Sequence, residues 1–342
     1  MPATGFPNSL LVAAVVGVSV LGITGCGSSS AGTAATGHPR SGDPGTGPTR
    51  TPSTPYRRPH DPVYLQRIHT GSRPCATLGA AGAVWVADIN DSVVSRIDPA
   101  TGRVTARVKT GLGPCGMAYG ADSVWVEDYN DASVTRILLP SLHTKTYPVG
   151  AAPYDVTFAD GAAWTTNYGD STVTRIDAAT GSRRTIRVGL NPVGIAPAAG
   201  SVWVANSSSG TISRINTSTL DVSTVRSGGT PGWTAYDDAN VWVGDASTAR
   251  VLRVDARKGT IVARVRVGPT PNDGDVFDGS VWIPDQNGAL YRIDPHTDQV
   301  TGRFPIRAGN PFVVSGYDNR LWVADYGGTD TLVIDPAKLP QQ

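Results

Sequence analysis

Seven tryptophans, Trp85, Trp125, Trp164, Trp203, Trp242, Trp282 and Trp322, recur along the 342-residue chain at spacings of 40, 39, 39, 39, 40 and 40 residues. Each sits in a copy of one stretch, clearest at residues 123–137, SVWVEDYNDASVTRI. Close copies read AVWVADINDSVVSRI from Ala83, AAWTTNYGDSTVTRI from Ala162 and SVWVANSSSGTISRI from Ser201. Looser copies start at Asn240, Ser280 and Arg320. A period of this length means similar supersecondary units, stacked or set around an axis, and it excludes most other folds at once.

Each unit opens on a Pro-containing turn, as at Gly113-Pro114, Ala152-Pro153, Asn191-Pro192, Thr230-Pro231, Thr270-Pro271 and Asn310-Pro311. A short apolar strand, a Gly or Asp turn and the Trp strand follow, the last rich in residues that suit a packed, pleated surface. A polar loop leads to a third strand of the form V-x-R-I-D, and turns such as Pro99-Ala-Thr-Gly102 lead to a fourth. No 3.6-residue periodicity competes with this pattern. The chain is predicted to be all-β, a seven-bladed β-propeller of four-stranded blades spanning residues 62–342. An open solenoid would need atypical capping repeats at its ends. Here the seventh unit stops after three strands, near Asp335, while residues 63–71, VYLQRIHTG, match the fourth-strand pattern VTARVKTG of residues 104–111. The N-terminal segment is therefore expected to complete the last blade and pair its open edge.

Residues 1–26 carry no charged side chain, and the largely apolar run 10–25 has the length of a signal-peptide core rather than a comfortable membrane span. It ends in Leu21-Gly-Ile-Thr-Gly-Cys26, which resembles a bacterial lipobox, although the preceding MPATGFPNS has no Lys or Arg. That resemblance implies lipidation of Cys26 and an exported protein anchored to the extracytoplasmic face of a bacterial membrane. Residues 27–61 are Gly, Ser, Thr and Pro with few aliphatic side chains, a composition unable to bury a core, and are expected to be a disordered tether. Arg40, Arg50, Arg57 and Arg58 against Asp43 and Asp61 leave 25 basic and 26 acidic residues downstream. Such a balance gives no electrostatic footprint for nucleic acid.

Repetition also separates architectural residues from candidates for function. Arg96, Arg136, Arg175, Arg214, Arg253 and Arg292 occupy one position in six units, and Asp88, Asp128, Asn167, Asn206, Asp245, Asp285 and Asp325 stand three residues after the tryptophans. Both sets are expected to be structural, the first bridging strands or blades and the second closing loops on backbone N–H groups. Cys75 and Cys115 each follow a leading Pro, 40 residues apart. A disulfide is the expected state in an exported protein; two free thiols and a metal site are the alternatives.

The leading turns and the loops after the Trp strands fall on one face, where the residues just after each Pro vary most. Departures from the repeat there single out Tyr154, Asp155, Trp233, Asn272, Asp273 and Glu127 as a candidate ligand-binding set at the central mouth. Aromatics with a few converging polar groups are what a small-molecule or peptide site requires.

The G-x-P turns, V-W-V-A-D strands and V-x-R-I-D-P-x-T-G hairpins resemble the virginiamycin B lyase and YVTN-type propeller superfamily across residues 62–342. The resemblance implies a seven-bladed fold, and for its streptogramin lyases a histidine and glutamate near a magnesium ion that open a cyclic depsipeptide by elimination. A general base must reach the proton it removes, and in those enzymes a His follows the leading Gly-Pro. None of the five histidines, His38, His60, His69, His143 and His296, occupies such a position here. Glu127 and the aspartates are left as possible metal ligands. Two functional classes follow: a surface-tethered, non-catalytic propeller binding a small ligand, glycan or protein, with no cofactor, or a metal-dependent lyase with an altered site.

Overall fold

The computed structural model describes residues 66–306 and 309–340. The lipobox Cys26, the signal segment 1–26, the tether 27–61 and the first residues assigned to the propeller, 62–65, lie outside the described residues.

The described chain forms seven antiparallel four-stranded sheets. Blade 1 runs through Pro74–Ala80, Ala83–Asp88, Val93–Asp98 and Arg103–Lys109, in that spatial order from the axis outward. Blades 2 to 6 repeat this order over residues 114–148, 153–187, 192–226, 231–266 and 275–305. Blade 7 takes its three inner strands from Pro311–Tyr317, Arg320–Asp325 and Asp330–Ile334, and its outer strand is Gln66–His69. That strand pairs antiparallel from Gln66↔Val333 to His69↔Asp330. Ile68, 5% exposed, packs with Trp322 and Val333 of blade 7 and with Val84 and Ile97 of blade 1. Closure thus joins both ends of the repeat in one apolar cluster.

The repeated tryptophans are the largest fully buried side chains. In six blades the indole Nε1 donates to the carbonyl five residues upstream, at 3.1–3.3 Å, pinning the hairpin between the first and second strands. Trp242 alone lacks this bond. The six arginines lie over the tryptophan ring of their own blade, 4.7 to 5.9 Å from its centroid, as cations favour the negative face of an aromatic ring. Two of them also bridge blades: Arg136 donates to the Ala178 carbonyl (2.6 Å) and Arg253 to Asp298 (2.7 Å).

The Asp/Asn position behaves differently around the ring. Asp88, Asp128, Asn167 and Asn206 bond hydroxyls of their third strand, such as Ser95 at 2.7 Å and Thr135 at 2.7 Å. Asp245, Asp285 and Asp325 accept from the backbone N–H of Thr230, Thr270 and Asn310 in the leading turn, as Asn167 also does from Gly150. Asp88 and Asp128 are buried deeply enough to push their carboxyls up to about 6 despite these bonds.

Candidate functional site

The seven innermost strands surround the axis, and all but that of blade 6, Asp275–Phe277, begin at their Pro, so the residues following the prolines meet at one end of the channel. That end, the Pro face, is closed by an aromatic cluster. Tyr154 of blade 3 stacks near Tyr129 (5.8 Å between centroids), Tyr168 (5.5 Å) and Trp233 of blade 5 (5.2 Å). Trp233 meets Phe312 edge-on at 5.1 Å, and Phe312 meets Tyr326 at 4.9 Å. The Arg73 guanidinium sits 4.3 Å above the Tyr326 ring. Cys75 and Cys115 belong to the same apolar cluster. They are bonded to each other, with a Cα separation of 5.1 Å that lies inside the range a disulfide tolerates.

Beneath this plug lies a layer of acids. Asp155 is 6% exposed; its Oδ1 accepts from Val156 N (2.7 Å) and its Oδ2 from Ile195 N of blade 4 (3.0 Å). Asp273 of blade 6 accepts from Thr234 N of blade 5 (3.2 Å), and Asp275 from Gly316 N of blade 7 (2.7 Å). These carboxylates stitch neighbouring innermost strands together, at places where the backbones run too close for larger groups. A Cβ added at Gly116, for example, would stand 2.7 Å from Asp155 Oδ1. Burial raises the pKa of Asp155, and burial together with the negative charge of Asp155 raises that of Asp273 well above the usual carboxylate range. Asp275 is pushed up to about 6 by burial.

Glu127 is 1% exposed, with Oε1 accepting from Gly116 N (2.9 Å) and Oε2 without a partner among the described residues. Burial, then the charges of Asp128 and Asp155, hold its pKa well above the usual carboxylate range. Asn272 is likewise buried; its Oδ1 accepts from Gln286 (3.2 Å) and its Nδ2 is unpartnered. No group of three or more His, Cys, Asp or Glu among the described residues is arranged to hold a metal ion. The described histidines lie away from the axis, with His69 in the strand that closes blade 7 and His143 and His296 exposed on outer hairpins.

The open part of the channel is on the opposite side. A cavity of about 300 Å³ is lined by Asp155, Thr157, Thr234, Tyr236 and Asp273, with Leu78 and Met117 supplying an apolar wall. Gly79, Tyr119 and Phe158 join this lining from the ends of their innermost strands farthest from the prolines. Tyr119 and Tyr236, 40% and 46% exposed, mark this mouth. Burial, with Asp275, Asp155 and Asp273 nearby, pushes the Tyr236 hydroxyl up to about 12.

The six residues singled out from the sequence are therefore divided. Asp155 and Asp273 face the cavity, Tyr154 and Trp233 belong to the plug, and Glu127 and Asn272 are buried outside the cavity lining. Thr157, Thr234 and Tyr236 were not among them. A period-two pattern along the innermost strand is the signal for such positions, but each of these strands except the short one of blade 6 shifts register just after its Pro. A bulge of this kind re-aims the following side chains.

No protein-family model matches the chain, and no curated protein matches its sequence. Solved structures do match. Virginiamycin B lyase from Staphylococcus aureus superposes with a TM-score of 0.69 at 16% identity, covering 79% of this chain and 98% of the lyase. The chain is a seven-bladed propeller similar in fold to that lyase. Hydrazine synthase of Kuenenia stuttgartiensis gives 0.67 at 14% identity, covering 78% and 96% of the two chains. The WD40 propeller domain of Doa1 gives 0.70 at 12% identity, covering 81% and 97%. At these identities the likeness is one of fold.

Proposed function

We propose that the protein is a surface-tethered, non-catalytic propeller whose channel binds a small ligand bearing a cationic or hydrogen-bond-donating group. The observation that carries this reading is the axial cavity, where Asp155, Asp273 and the Tyr236 hydroxyl line one part and Leu78 and Met117 another. Two acids that resist ionising together are complementary to a cation, because its charge offsets the repulsion that otherwise keeps a proton on one of them. The apolar wall suits a hydrocarbon body, and the volume falls at the lower end of small-molecule sites. The aromatic plug supports access from the hairpin face rather than from the Pro face. The tether reading rests on the lipobox-like Cys26, and its test is given below.

The streptogramin-lyase reading is the alternative, favoured by the fold likeness alone. It lacks a histidine base at the channel, since the described histidines all lie elsewhere. A calorimetric screen of primary and quaternary amines, followed by mass spectrometry of the recovered compound, separates the two. Saturable binding weakened at least about tenfold by Asp273→Asn or Tyr236→Phe, with the compound unaltered, is the expected outcome. Binding indifferent to both substitutions places the site elsewhere, and turnover transfers the assignment to the lyase class.

A further inference from the structure

Side chains of the outer strands and turns fill the crevices between adjacent blades to different extents. Between blades 2 and 3, Tyr147 and Phe158 cover Trp125 at 5.7 and 6.2 Å, and Arg136 reaches across to the Ala178 carbonyl. Between blades 5 and 6, Arg253 reaches Pro295 O (3.3 Å) and Asp298 (2.7 Å). Between blades 1 and 2 neither filling is present, and blade 1 carries the small outer-strand pair that blade 5 has in Val265 and Ala263. Val108, paired with Val94, stands where Tyr147 pairs with Val134, and Ala106, opposite Arg96, stands where Lys145 lies opposite Arg136. Tyr119 occupies the position of Phe158 but is 40% exposed. The turn of blade 2 is Leu138-Leu-Pro-Ser-Leu142, in place of the Asp-x-x-Thr of blades 1 and 3. A pocket of about 670 Å³ lies there, sharing Tyr119 with the rim of the axial cavity but none of the axial acids.

Its chemistry is polarised. Arg96 lines it and keeps within its own blade, its one side-chain hydrogen bond among the described residues going to Thr105 Oγ1 (2.9 Å). The exposed Asp122 lines it too, accepting only a long bond from the Tyr119 hydroxyl (3.4 Å). Neither charge belongs to an ion pair among the described residues. Leu139, Leu142 and Ala106 supply apolar surface in the same pocket. A guanidinium with unused donors selects a carboxylate, preferably in bidentate geometry. A free carboxylate sharing the pocket selects an ammonium and disfavours a simple anion. The volume lies within the usual range for small-molecule sites.

We propose that the crevice between blades 1 and 2 is a binding site for a zwitterion with an apolar body, of the class of α-amino acids with large hydrophobic side chains. Arg96 takes the carboxylate, Asp122 the ammonium, and the leucines and Ala106 the side chain. The site is independent of the channel reading. Its test is calorimetry on the full chain with L-phenylalanine as the probe, beside 3-phenylpropionate, which lacks the ammonium, and phenethylamine, which lacks the carboxylate. L-Phenylalanine binds saturably, and each analogue binds at least about tenfold more weakly, because each leaves one pocket charge unpaired. Ala106→Tyr, which adds bulk beside Arg96, abolishes binding. Asp122→Asn erases the preference over 3-phenylpropionate, and Arg96→Gln erases the preference over phenethylamine. Because Arg96 also covers Trp85, melting is recorded for every variant; Asp122→Asn and Ala106→Tyr leave that stacking in place and carry the test if Arg96→Gln unfolds. No binding of L-phenylalanine at millimolar concentration, equal binding of an analogue, or binding unchanged in Ala106→Tyr overturns the proposal.

Discussion

The bond between Cys75 and Cys115 ties the innermost strands of blades 1 and 2 at the channel, and its removal has a calculable effect. The cross-link closes a 40-residue separation. In the chain-entropy treatment a loop of that length restricts the unfolded ensemble by about 4 kcal/mol at 25 °C. The Cα separation of 5.1 Å requires no displacement of either strand, so little of this is offset in the folded state. For a domain of this size each kcal/mol moves the melting temperature by about 2–4 °C, so replacing both cysteines by alanine lowers it by roughly 8–16 °C. The bridge is lost whole, so Cys75→Ala, Cys115→Ala and the double variant destabilise to similar extents rather than additively. Melting followed by circular dichroism, with and without reductant, measures this. Alkylation of the denatured, unreduced protein should leave both residues unlabelled. Two labelled thiols, or a shift under about 2 °C for the double variant, would refute the reasoning.

Three further outcomes follow from the fold and from the lipobox-like Cys26. Ile68→Ala in the closing strand, 5% exposed, costs about 2–4 kcal/mol, whereas Val222→Ala in the outer strand of blade 4, 41% exposed, changes stability by less than about 0.5 kcal/mol; equal effects in urea titrations argue against closure by residues 66–69. Asp88, Asp128 and Asp275, pushed up to about 6, bind protons in the fold that the unfolded chain releases nearer 4, so stability rises as pH falls from about 7 toward 4. Asp98, Asp177, Asp255, Asp294 and Asp335 have lowered pKa values and contribute stability that is lost only below about pH 4; a steady loss of stability between pH 7 and 5 contradicts this balance. Cys26→Ser, expressed in the native host, releases the protein from the membrane fraction or blocks its processing, and unchanged lipid labelling rules out the anchor.

The blade count and strand order were legible because the tryptophan pattern is local: one side chain, one hairpin, one carbonyl five residues back, repeated. The closing strand was legible because an unpaired edge demands a partner and only the N-terminal segment had the right pattern. The mouth was not legible in the same way. Tyr154, Trp233 and Phe312 break the repeat, as ligand-binding residues would, yet they satisfy one another as a plug across the axis. Nothing in a single unit reveals a contact made among three different blades. The register shifts after the prolines conceal Thr234 and Tyr236 for a related reason, since pairing between strands decides where a bulge falls.

A polar residue that breaks a repeat can meet a need of the ring as well as of a ligand, and the axial acids show how the two combine. Seven similar innermost strands run side by side without a full ladder between them, so their backbone N–H groups need acceptors. Asp155, Asp273 and Asp275 provide those acceptors across the boundaries of blades 3–4, 5–6 and 6–7. Asp155 is saturated by two backbone donors, whereas Asp273 accepts one through Oδ1 and lines the cavity. On the proposed channel site, recognition would therefore fall on Asp273 and Tyr236, with Asp155 contributing charge from a fixed position. Asp155→Asn retains one acceptor but turns an amide N–H toward a backbone donor, so it weakens the junction of blades 3 and 4 along with the cavity's negative potential. Asp273→Asn can direct its carbonyl at Thr234 N and leave the junction intact, and is the substitution that separates binding from folding.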